Sequence, residues 1–73
     1  MELTEIWKTV EQTPGVTHME KMGKRAIVFL FEGVRHSVYT DPVKIVLFRQ
    51  GDKIATLESA ADIPHNLDPV VTA

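Results

Sequence analysis

Near the N-terminus, Leu3, Ile6, Trp7 and Val10 recur at i, i+3, i+4 and i+7, the spacing that lines one face of an α-helix. One short amphipathic helix is predicted, packed through that face. Thr13-Pro14-Gly15 ends it, because proline pushes its predecessor out of helical geometry and glycine permits a reversal. Glu2 and Glu5 fall in the first turn, where carboxylates suit the positive end of the helix dipole.

Beyond Gly15 the pattern becomes strand-like. Val16 to Met22 reads as a first strand, with a tight turn at Met22-Gly23-Lys24. Ala26 to Phe31 is an unbroken apolar run, AIVFLF, continued to Glu32 and stopped by Gly33. A run apolar on both faces predicts the centre of a sheet that is covered on both sides. Val34 to Thr40 alternates, with Val34, His36 and Val38 on one face and Arg35, Ser37 and Tyr39 on the other. Asp41-Pro42 signals a turn. Val43 to Arg49 is a further apolar strand, joined through Gln50-Gly51-Asp52 to a last strand over Lys53 to Glu58. Ser59 is placed to cap a single helical turn through Asp62. Pro64 and Pro69 then leave an extended C-terminal tail.

The fold expected is therefore α+β: an N-terminal amphipathic helix on a small, curved antiparallel sheet of about four to five strands. A single domain over residues 1–65 and a flexible tail over 66–73 follow. Seventy-three residues permit one domain only, with a core barely sufficient for its surface. Cysteine is absent, so neither a disulfide framework nor a thiolate zinc site supplements that core. The longest apolar runs fall far short of the roughly 20 residues a membrane-spanning helix needs. The acidic start is unlike a secretion signal, so a cytoplasmic location is expected, with no membrane association.

Charge divides the chain in three. Residues 1–20 carry four acids against Lys8 and residues 54–73 carry three acids unopposed, whereas residues 21–53 hold seven bases against three acids. The middle is thus +4 and each end is −3. A basic centre of that size steers an acidic partner, yet it is weaker than the footprint of a dedicated nucleic-acid binder. Lys21, Lys24, Arg25, Arg35, His36, Tyr39 and Arg49 are the candidate partner-binding residues. Tyr39 beside Arg35 on one strand face is the element a base-stacking surface would use. The alternative reading of the basic residues is a set of solvated charges that protect strand edges.

Catalytic and metal readings find little. His18, His36 and His65 lie 18 and 29 residues apart, without the close pairing of a metal site. His36 and Ser37 are neighbours on a strand and point to opposite faces, so they do not form a nucleophile and base pair. His36 is expected to be a partly exposed histidine. The glycines are single turn residues, not a phosphate-cradling cluster. No enzyme activity, cofactor or metal is expected.

Two families are similar in outline. A helix followed by about five strands, with AIVFLFEG and VKIVLF as the long strands, resembles Sm-like RNA-binding proteins. The segment KIATLESAADI lacks the glycine-centred turn of their second motif. The chain's size, its single helix with antiparallel sheet, its lack of cysteine and its polar tail also resemble the small proteins that bacteriophages encode to reprogramme host RNA polymerase; MELTEIWKTVEQ and AIVFLFEG are compatible with them. That second resemblance implies a monomeric, non-enzymatic regulator that binds the large polymerase subunits, inhibits initiation by interfering with the σ factor and suppresses termination. It is the leading expectation. A small Sm-like or SH3-like RNA- or DNA-binding module is the alternative.

Overall fold

The structure, a computed structural model, describes residues 3–41 and 44–67. Helix α1 (Leu3–Glu11) is followed by β1 (Val16–Met22), β2 (Ala26–Phe31), β3 (Val34–Thr40), β4 (Ile45–Arg49) and β5 (Asp52–Leu57), then a 3₁₀ turn (Ala60–Asp62) and a short helix α2 (Ile63–Asn66). The five strands form one antiparallel sheet in the order β1-β2-β3-β4-β5. This is the expected α+β architecture. Glu2, Val43 and the tail residues 68–73, which the sequence assigned to the first helical turn, a strand and a mobile end, lie outside the described residues.

Two turns set the register. Glu32-Gly33 joins β2 to β3 and Gln50-Gly51 joins β4 to β5, and all four residues have φ between 51 and 89°. Positive φ at both central positions is the type I′ geometry whose twist matches paired strands. Phe31 then faces Val34, and Arg49 faces Asp52. The first anchor fixes which β2 and β3 side chains share a face, while the β4–β5 pairing shifts by one residue between Phe48 and Leu47.

The inner face carries Ile27, Phe29, Phe31, Val38, Ile45, Leu47 and Leu57. These pack with Ile6 and Val10 of α1 and with Ile63 and Leu67. Leu3 and Trp7 flank that core half-buried, so the predicted helical stripe is the face that packs.

Three expectations change. First, β2 is not covered on both sides. Ile27, Phe29 and Phe31 are buried against the helices, whereas on the opposite face Ala26 is buried outside the core cluster and Val28 and Leu30 are only half-buried. Both helices sit on one face of the sheet. Second, the chain does not leave the domain at residue 65. Ser59 caps the 3₁₀ turn by accepting a hydrogen bond from the Ala61 amide at 3.2 Å. Pro64 then sits at the start of α2, where its missing N–H costs nothing. Ile63 and Leu67, one helical turn apart, both reach the core, with Leu67 only 1% exposed. Third, β1 contains a bulge. Thr17 pairs with Leu30 and Glu20 with Val28, so His18 and Met19 together oppose Phe29. His18 absorbs the extra residue with φ of 53°. Met19 turns inward against the core, and Lys21 is shifted to the helix side, its Nζ 5.8 Å from the centre of the Trp7 ring.

Candidate functional site

The outer face of the sheet is built by residues that alternate with the core set. From β2 come Val28 and Leu30, from β3 Arg35, Ser37 and Tyr39, and from β4 Val46 and Phe48. Tyr39 stands 53% exposed and meets Phe48 edge-to-face, with ring centres 5.8 Å apart. Cross-strand register continues the strip: Leu30 opposes Arg35, Val28 opposes Ser37, Ser37 opposes Phe48 and Tyr39 opposes Val46. Thr17 and Glu20 border it on β1, and Lys53 and Thr56 on β5. No helix among the described residues packs on this face.

At one end of the strip the β4–β5 turn folds beside the start of β3. The Gln50 amide donates to the Arg35 carbonyl at 2.9 Å, holding the turn in place. Arg35, His36, Ser37, Gln50 and Gly51 surround a cavity of about 390 Å³.

His36 is a correction. The sequence placed it, partly exposed, among the partner-facing residues, but the structure buries it to 1% exposure. Its parity with Val34 and Val38 turns it inward. The ring stacks on Phe29, with centres 5.7 Å apart and planes 11° from parallel, and meets Phe31 edge-on at 5.9 Å. Nδ1 lies 2.9 Å from the Val34 carbonyl. A carbonyl only accepts, so Nδ1 carries the proton and Nε2 is left as an acceptor. Arg49 supplies the donor, its Nε–H reaching Nε2 at 3.3 Å. Burial lowers the His36 pKa and the neighbouring Arg49 charge lowers it further, against the opposing pull of the Val34 hydrogen bond.

The remaining basic candidates do not gather on one surface. Lys21 lies over Trp7 beside the helix. Lys24 and Arg25 occupy the β1–β2 turn, and the Arg25 carbonyl accepts from the Thr40 amide at 2.8 Å, so they sit at the opposite end of β3 from Arg35. Arg49 shares the inner-face register with His36, whereas Arg35 faces outward. Tyr39 and Arg35 do share a face, four residues apart. Phe48, Ser37 and Gln50 were not singled out from the sequence. Phe48 stands opposite Ser37 through the β3–β4 pairing, in which His36 faces Arg49, and neither two-residue turn joins those two strands, so no local signal in the sequence locates it.

Among the described residues no three acidic or imidazole side chains come together as a metal site requires. No helix there is long and apolar enough to cross a membrane. No family model matches the chain, and no curated protein or solved structure does either.

Proposed function

We propose that this chain is a non-enzymatic regulator that works by docking the outer face of its sheet on a larger protein assembly, with bacterial RNA polymerase as the partner. The observation that carries the reading is the apolar strip of Val28, Leu30, Tyr39, Val46 and Phe48 on the sheet face away from the helices, with Tyr39 exposed and the other four half-buried. Apolar groups that a small domain leaves partly uncovered along one face mark interaction surfaces, and aromatic residues with arginine are the groups that dominate interface energy. Arg35 and Lys53 at its margin favour an acidic counterpart. Polymerase is the partner nominated by the resemblance of the chain's size and layout to phage-encoded regulators. Acting there, a cytoplasmic monomer would inhibit initiation by interfering with the σ factor and suppress termination.

The test uses the immobilised chain, purified polymerase holoenzyme and a σ-dependent transcription assay. Retention of polymerase with reduced initiation is expected, and both should be lost in Leu30→Glu and Tyr39→Glu. Failure of the unaltered chain to retain polymerase would reject the reading.

A second reading has its own observation: Tyr39 and Phe48 share their face with Arg35 and Lys53, a combination that stacks bases and meets phosphates. A nucleic-acid module of that kind would bind single-stranded oligonucleotides with an affinity that falls steeply as salt rises. Absence of binding at low salt removes it.

A further inference from the structure

The cavity between the start of β3 and the β4–β5 turn has a chemistry of its own. Of the described residues that line it, Arg35, Ser37 and Gln50 bring polar side chains and none is acidic, while the ring nitrogens of His36 are committed to Val34 and Arg49. Among the described residues, the strand register sets no acidic side chain directly beside Arg35. Its cross-strand neighbour is Leu30, and the acidic residue of the same face, Glu20, is on β1, two strands away. Its other neighbour is the turn itself, anchored by the bond from the Gln50 backbone N–H to the Arg35 carbonyl. A cavity lined by an arginine, a serine and a glutamine, with no acidic residue among its described lining, has the chemistry of a receptor for an oxyanion.

We propose that this cavity is a binding site for a phosphate group. A carboxylate offers two oxygens in one plane, whereas Arg35, Ser37 and Gln50 offer donors from three separate residues of the lining, a donor set that suits a tetrahedral anion better. A volume of about 390 Å³ exceeds what the anion alone fills and lies within the range of small-ligand sites. Phe48, directly opposite Ser37, offers an aromatic surface next to the cavity. The phosphate therefore arrives either as the free ion or carried by a small aromatic group such as a nucleoside. Arg35 holds the charge, and Ser37 and Gln50 orient it.

The experiment titrates the full chain with inorganic phosphate, and separately with adenosine 5′-monophosphate, at constant ionic strength while amide resonances are followed. Saturable shifts are expected at Arg35, Ser37, Gln50 and Gly51. Arg35→Gln should weaken binding by about tenfold or more without moving resonances elsewhere, and Ser37→Ala should weaken it less. Tighter binding of the nucleotide would assign its base to Phe48, while equal binding would assign the phosphate alone; both support the site. No saturable shift, an equal response to acetate, or unchanged affinity in Arg35→Gln would overturn it. Because the probe is a small ion, this site and the polymerase reading stand or fall separately.

Discussion

Arg49 on β4 donates its Nε–H to Nε2 of His36 on β3, 3.3 Å away, and so fixes a neutral imidazole inside the core. The ring's other nitrogen is already committed to the Val34 carbonyl. Protonating Nε2 would set two donors and two positive charges against each other in a site walled by Phe29 and Phe31.

The pH dependence of folding follows. Burial and the Arg49 charge lower the His36 pKa in the folded chain from its ordinary value of 6.5. As pH falls through that value the unfolded chain takes up a proton that the folded chain refuses, so stability falls. The loss stops once pH drops below the folded pKa. Its slope for one proton is at most about 1.4 kcal/mol per pH unit. Urea midpoints between pH 7.5 and pH 5 should decline in the unaltered chain. His36→Phe, which retains the aromatic packing, should flatten that decline. An equally steep profile in the variant would show that other groups are responsible.

The β2–β3 turn makes a prediction with two signs. Glu32 has φ of 53° and Gly33 of 79°, and a Cβ added at Gly33 would meet nothing within 4 Å. Gly33→Ala therefore isolates the conformational penalty of a left-handed residue and should cost about 1–2 kcal/mol. Glu32→Asn keeps the turn and supplies the Asn-Gly pair that type I′ turns favour, so it should stabilise by about 0.5 kcal/mol. Urea or thermal unfolding of both variants checks the signs. A neutral Gly33→Ala would mean that the turn adopts another type in solution.

Where the sequence was readable, alternation did the work. Val34 to Thr40 alternates cleanly, and its faces are those of the structure. His36 shared its parity with Val34 and Val38, so its burial was available from that pattern. Its polar chemistry and basic neighbours pointed instead to the surface. AIVFLF hid the reverse: six apolar residues cannot declare that only alternate ones meet the helices. Arg35 and Arg49 were grouped because both belong to the basic middle of the chain. Which face each occupies depends on inter-strand register, a non-local property of the β3–β4 pairing, in which Arg49 faces the inward His36 and not Arg35. The β1 bulge was illegible for a similar reason, since His18 accepts a left-handed φ only because Phe29 stands opposite two residues.

Leu67 tests where the domain ends. It is almost fully buried and joins the same cluster as Val10, Ile6 and Leu57. Leu67→Ala should therefore cost about 2–5 kcal/mol, the range for a truncated core leucine. In a domain of this size that is a large share of the total. A urea midpoint equal to that of the unaltered chain would return residue 67 to the tail.

The two arginines that the sequence grouped should now separate by experiment. Arg35 faces outward beside Leu30, Ser37 and the cavity, where a charge reversal disturbs no core contact. Arg49 is half-buried and its guanidinium lies against the His36 ring, so its replacement reaches into the core. Arg35→Glu should leave the unfolding midpoint within about 0.5 kcal/mol of the unaltered chain while reducing polymerase retention. Arg49→Met should lower stability. It should also raise the His36 pKa by removing the positive charge that holds it down, a change visible in the ring's proton resonances on titration. If Arg35→Glu destabilised the fold as much as Arg49→Met, the assignment of these residues to opposite faces would be wrong. If the imidazole titrated identically in Arg49→Met and the unaltered chain, the contact between Arg49 and His36 would not hold in solution.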